Sequence, residues 1–199
     1  MYPLFESIGV VNGKIQYGNY HENRFRKAYH EFYGELPPYN LLDGIVVPKT
    51  YNNGRVKLRI SYGRSTKTIS FDHYQVRPHN TLKLVTANTI AYPLKLEDRE
   101  QLNHLYSLRQ SCDDVLIARQ SHITDSSYAN ITFFDGKQWW TPSTPLLHGT
   151  CRQRLLDAGT IQERVITIAD LDRYQGFQLI NALLEFNPKY YTPIAQIFR

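Results

Sequence analysis

The chain has 199 residues, 42% apolar and 21% charged, an ordinary globular composition with ample apolar mass for a core. Its net charge of +5 is scattered along the chain, so nothing points to nucleic acid, and small anionic substrates account for the excess equally well. Two cysteines without C-x-x-C spacing, no membrane-length apolar run and no basic-then-apolar leader at residues 1–6 imply a reduced, cytoplasmic protein, with neither membrane span nor signal peptide.

In chain order, residues 6–11 predict a strand that turns at Asn12-Gly13. Residues 20–33 predict a helix with Phe25, Ala28, Tyr29 and Phe32 on one side. Pro37-Pro38 breaks it, and 41–47 predict a second short helix. Asn52-Asn53-Gly54 turns the chain into 55–62, where basic or polar residues alternate with apolar ones as in a half-buried strand. Residues 68–76 and 81–87 repeat that pattern, so the first ninety residues read as α+β with a mostly antiparallel sheet. Residues 86–92 read as a link, giving two domains, 1–90 and 91–199.

In the second domain a polar helix is predicted over 98–110, after Leu94-Lys95-Leu96. Residues 115–118 read as a short buried strand and 120–127 as a polar turn carrying Asp125. Residues 130–134 and 138–141 form a hairpin around Asp135-Gly136. Pro142 and Pro145 lead to Gly149-Thr150, where the period changes to about 3.6. Thr150 to Gln153 fits a capping box with Thr150 as N-cap; Leu155, Leu156 and Ala158 make the apolar stripe, and Gly159 the stop. A strand over 163–168, a short helix over 170–174 and an apolar strand over 177–184 complete the reading. There is no internal repeat.

A Gly-Thr helix entry presents backbone N–H groups at a dipole-positive end and suits a phosphate, although most such entries bind only water. The order of parts is more specific. T-D-S-S-Y-A-N-I, a hairpin, W-T-P, then P-L-L-H-G-T-C-R resembles the signature of the class IV (fold-type IV) pyridoxal-phosphate aminotransferases. That family includes branched-chain and D-amino-acid aminotransferases and 4-amino-4-deoxychorismate lyases. The resemblance implies a mixed α/β, two-domain architecture of the D-amino-acid-aminotransferase type, pyridoxal 5'-phosphate as cofactor and a homodimer with active sites near the subunit interface.

Such an enzyme needs a Schiff-base lysine, an acid for the pyridine nitrogen, phosphate ligands and a place for the substrate carboxylate. Lys95 stands at the family's distance upstream of the T-D-S-S-Y-A-N motif; flanking Leu94 and Leu96 would favour its neutral amine. Taken alone it reads as a solvated lysine at a strand-to-helix junction, and mid-strand Lys83 is the runner-up. Asp125 stands where the family usually has glutamate, one methylene shorter; by itself it reads as an Asx-turn residue. Arg24, in His21-Glu22-Asn23-Arg24-Phe25, resembles the phosphate-binding arginine of an H-x-x-R-L motif and otherwise reads as a surface helix arginine. The backbone N–H groups of Thr150 and Cys151 would form one side of the phosphate cup and Asn181 the other. Asn130 reads as a brace for the loop after Asp125. Lys57 and Arg59, two apart on one strand face, are the candidates for the substrate carboxylate.

No metal-ligand spacing, P-loop, G-x-S-x-G or H-E-x-x-H is present. The compact chain, without a clear second carboxylate clamp, favours a 4-amino-4-deoxychorismate-lyase-like reaction with pyruvate release over a class IV aminotransferase. A non-catalytic relative using the fold to bind ligands is the reading from another class, and a basic RNA-binding domain a distant third.

Overall fold

A computed structural model describes residues 2–76 and 79–199; Met1, Arg77 and Pro78 lie outside the described residues. The described residues form two compact units, the first from 2–76 with 94–98, the second from 79–93 with 99–199.

The first unit is built on β1 (Leu4–Val11), β2 (Lys14–Ile15), β3 (Arg55–Tyr62) and β4 (Lys67–His73), an antiparallel sheet in the order β2-β1-β3-β4, with α1 (Gly18–Tyr33). Asn12 and Gly13 take φ of 47° and 76°, the tight turn their types predict. Opposite pairs Leu4–Tyr62, Glu6–Ile60, Ile8–Leu58 and Val10–Val56 share one face. Phe25 and Tyr29 of α1 and Leu41 complete that core. The alternate positions Phe5, Ser7, Lys57, Arg59 and Ser61 take the other face.

Two local readings change. Phe32 is 42% exposed instead of buried with Phe25, Ala28 and Tyr29, because its neighbour Tyr33 takes the last core position of the helix. Residues 41–44 form turns and 45–47 irregular chain, not a helix. Lys67 Nζ donates to the carbonyls of Asn40, Leu41 and Asp43 at 3.0, 2.7 and 2.9 Å, so a lysine on β4 replaces the N–H donors a helix would have supplied. Buried Leu41 and half-buried Leu42, Ile45 and Val47 then pin the segment to the core. Residues 94–98 run beside the start of β1: Phe5 N donates to Lys95 O at 3.1 Å and Glu97 N to Pro3 O at 2.8 Å.

The second unit holds β5 (Leu82–Thr86), α2 (Glu100–Ser107), β6 (Asp114–Arg119), β7 (His122–Ser126), β8 (Asn130–Phe134), β9 (Trp139–Pro142), α3 (Thr150–Asp157), β10 (Gln162–Arg164), β11 (Gly176–Ile180), β12 (Thr192–Pro193) and β13 (Ile197–Phe198). They form one sheet in the order β10-β9-β8-β7-β6-β5-β13, with β11 pairing β8 and β12. β5 is extended as predicted, but it runs parallel to β6 and β13 and belongs to this sheet. Residues 120–127 are mostly strand: only Gln120 and Ser121, at φ 50° and 64°, make the turn, and β7 follows. β7 looks polar because Thr124, Asp125 and Ser126 are buried and hydrogen-bonded; Thr124 Oγ1, for instance, donates to Ile117 O at 2.8 Å. The capping box predicted at Thr150 does not form: Gly149 is the N-cap, Thr150 the first helical residue, and no side chain caps the end. A capping box forms instead between Thr167 and Asp170. Among the described residues no helix is long and apolar enough to cross a membrane.

Candidate active site

In the first unit the chemistry gathers around Glu6. Its carboxylate is fully buried on the core face of β1, an anion among Leu4, Ile8 and Val10. Two side chains from the first half of α1 meet it. Arg24 donates through Nε to Oε1 at 2.7 Å and through Nη2 to Oε2 at 2.5 Å, and His21 Nδ1 lies 2.7 Å from Oε2. Burial pushes the Glu6 pKa up, but the Arg24 charge and the hydrogen bonds from His21 and Arg24 outweigh it and hold the group at about 2. The His21 pKa is pushed down, chiefly by burial and against the pull of Glu6, so its ring stays neutral and donates Nδ1–H to the carboxylate. The group is therefore an arginine–carboxylate fork with a neutral histidine on its shared oxygen.

Lys95 lies beside this group, near enough for its charge to depress the His21 pKa. Its Nζ sits 4.6 Å from the centre of the Phe5 ring. Arg59 reaches the same ring, its guanidinium carbon 3.8 Å from the centre, while Nη2 pairs with Glu97 at 2.5 Å. Lys57 pairs with Asp72 at 3.6 Å. Of the two candidates for a substrate carboxylate, Arg59 thus shares a platform with Lys95, and the described contacts of Lys57 lie elsewhere. Lys83 donates to the Arg199 carbonyl at 2.7 Å.

In the second unit Asp125 is buried on β7. Oδ1 accepts from Asn130 Nδ2 at 2.8 Å; Oδ2 accepts from the backbone N–H of Leu146 and Leu147 at 2.8 and 3.0 Å. Burial pushes its carboxyl up to about 6, against those three bonds and the Arg152 charge. Asn130 Nδ2 also donates to Leu147 O at 2.9 Å, so the residue read as a brace ties Asp125 to the loop entering α3. A Cβ on Gly149 would lie 1.9 Å from Asn130 Oδ1, which is why glycine stands there. Thr150 and Cys151 open α3, both buried, and burial pushes the Cys151 thiol up, keeping it protonated. Cys151 packs in one cluster with Ile180, the residue before Asn181. Asn181 Oδ1 accepts from Leu183 N and Leu184 N at 2.8 and 3.0 Å and so shapes the turn after β11.

Three residues escaped the sequence reading. Glu6 and His21 had a signal: each interrupts an apolar core pattern, Glu6 at period two on β1 and His21 four residues before Phe25 on α1. Arg152, 1% exposed, donates to Pro142 O at 2.9 Å and pairs with Glu163; it was indistinguishable from a surface helix arginine.

Together these features define a mixed α/β protein with two groups of polar side chains, a lysine beside a buried arginine–carboxylate fork and a buried acid tied to a helix entry. The family comparison makes the assignment: the model of the amino-transferase class IV family matches residues 3–188, and the chain belongs to that family. A Haemophilus influenzae protein described as uncharacterized is 39% identical over 185 residues, covering 92% of this chain and 98% of that one. A solved structure from Haemophilus somnus 129PT, provisionally described as a 4-amino-4-deoxychorismate lyase, is 35% identical with a TM-score of 0.88, covering 94% of this chain and 98% of its own. A Mesorhizobium loti structure, provisionally described as an amino-acid aminotransferase, shares the fold at 21% identity and a TM-score of 0.75 over 92% of this chain and 96% of its own.

Proposed function

We propose that this protein is a pyridoxal-phosphate-dependent enzyme of the 4-amino-4-deoxychorismate lyase type, acting on an amino-acid-like substrate and releasing pyruvate. The observation that carries the reading is the 35% likeness, over nearly the full length of both chains, to a structure provisionally given that activity. The donor set fits the cofactor. Lys95 offers a primary amine, Arg24 a guanidinium oriented by Glu6 through Nε and Nη2, and Asp125 Oδ1 takes one described bond of the two it can accept.

Pyridoxal phosphate, when bound, supplies an electron sink for the pair left on the substrate's α-carbon. The chain's own residues would do the rest. Lys95 Nζ would hold the cofactor and, once released, take the α-proton. Asp125, ionised above about pH 6, would face the pyridine nitrogen with a negative charge. Arg24, the N–H groups of Thr150 and Cys151, and the turn at Asn181 would hold the phosphate. Arg59 is the better placed of the two candidates for the substrate carboxylate, with Lys57 second. In this reading the protein is a cytoplasmic homodimer of two-domain subunits, with most of the cofactor's ligands in the 91–199 half and Arg24 from the 1–90 half.

The test is the visible spectrum of the purified protein before and after borohydride, with mapping of the reduced peptide, followed by assay of pyruvate release against keto-acid exchange. A yellow protein labelled on Lys95 that releases pyruvate supports the proposal. Exchange without pyruvate release makes it an aminotransferase. A protein that stays colourless with added cofactor is a binding relative of the fold.

A further inference from the structure

We infer that Glu6 is a positioning residue for the cofactor phosphate: it sets the orientation of the Arg24 guanidinium that would meet the anion. The inference rests on the proposed role of Arg24. A guanidinium has five N–H bonds, and in the absence of restraint an arginine samples many rotamers. Here Nε and Nη2 both point into Glu6, so the plane and the roll of the guanidinium are fixed by a carboxylate that cannot itself move. Glu6 is held in three ways: by its pairing in β1 with Ile60 of β3, by zero exposure, and by His21, whose Nδ1–H occupies the shared oxygen Oε2.

The chemistry explains why a charged group sits in an apolar core face. An isolated buried carboxylate is costly, and a hydrophobic residue at position 6 would match Leu4, Ile8 and Val10. What Glu6 adds is two acceptor atoms at the spacing of an arginine fork. Glutamine keeps the shape but offers one acceptor oxygen and turns its amide NH2, a donor, toward Arg24 or His21. Substitution therefore frees Arg24 to rotate while leaving its charge in place.

The test compares binding of pyridoxal 5'-phosphate with binding of pyridoxal, which lacks the phosphate, by absorbance titration of the cofactor-free full chain. Glu6→Gln is expected to weaken pyridoxal phosphate roughly tenfold or more, the cost of one charge-assisted bond, and to leave pyridoxal within about twofold. Arg24→Ala must show the same selective loss, and larger. If Arg24→Ala loses the selectivity and Glu6→Gln keeps it, Glu6 does not position the arginine, though the phosphate reading stands. If Arg24→Ala itself keeps the selectivity, the phosphate reading fails and the inference with it. Equal losses of both ligands in Glu6→Gln mean a merely structural role and overturn the inference.

A measurement on the unaltered chain covers the case in which Glu6→Gln does not fold. The Arg24 Nε–H proton, assigned by its disappearance in Arg24→Lys, should exchange slowly with water, and equally so when inorganic phosphate is added. Exchange at the rate of a free arginine, or loss of protection on phosphate binding, would refute the fork as a fixed mount.

Discussion

Gly149→Ala tests the link between the helix entry and the buried acid. At φ −70° and ψ 142° the backbone of Gly149 suits any residue, so strain plays no part. The obstacle is Asn130, whose Oδ1 would lie 1.9 Å from the new methyl. A surface asparagine would swing aside at little cost, but Nδ2 of this one is committed to Asp125 Oδ1 at 2.8 Å and Leu147 O at 2.9 Å. Moving it gives up one hydrogen bond to a buried carboxylate and one neutral bond, together about 2–4 kcal/mol. In a chain of 199 residues that corresponds to a fall of roughly 5–15 °C in Tm. The assay is thermal and urea denaturation of Gly149→Ala, Asn130→Ala and the double variant. With Asn130 cut back the collision disappears, and adding Gly149→Ala should then cost less than about 1 kcal/mol, the ordinary penalty of alanine at an N-cap. An equal cost of Gly149→Ala in both backgrounds would refute the reasoning.

Two further outcomes follow from the buried charges. The folded chain holds the Glu6 proton less tightly than the unfolded chain, with a pKa of about 2 against 4.5, so its stabilisation is complete above pH 4.5 and is lost as the pH falls toward 2. The loss is on the order of 3 kcal/mol; denaturation midpoints from pH 6 to 2.5 should fall more steeply for the wild type than for Glu6→Gln, and parallel curves would contradict it. Asp125 works in the opposite sense, because burial raises its pKa to about 6 and the folded chain gains stability from it as the pH drops below that value. Arg152→Met should move the Asp125 pKa above about 6, since the Arg152 charge helps to hold it down, while the half-exposed Glu163 returns to water at a cost within about 2 kcal/mol. Carbon-13 NMR titration of the carboxyl reads this directly; an unchanged or lower pKa would rule out the coupling.

Local pattern was enough for most elements. Period two marked β1 and β3, period 3.6 marked α1 and α3, and Asn12-Gly13 fixed a turn because few other pairs tolerate two positive φ values in succession. The order from T-D-S-S-Y-A-N through W-T-P to the H-G-T helix entry was legible as a family signature, which the family match over residues 3–188 bears out, because members of one fold keep their strands, turns and helix entries in one order along the chain. Partnership was not legible. The alternation in β5 says that one face is buried, but not that its neighbour is β6, more than twenty residues on. β7 read as a turn because Thr124, Asp125 and Ser126 are polar, and only the folded chain shows the donors and acceptors that let them be buried. The segment 41–47 read as a helix because the lysine that takes its carbonyls is on another strand. Glu6, His21 and Arg24 make the same point: their residue types are printed in the sequence, but the fork exists only once β1 and α1 pack. A side chain's period reports how much of it is hidden, while its hydrogen-bond partner is chosen by distance in space, and that distance is set by the tertiary structure.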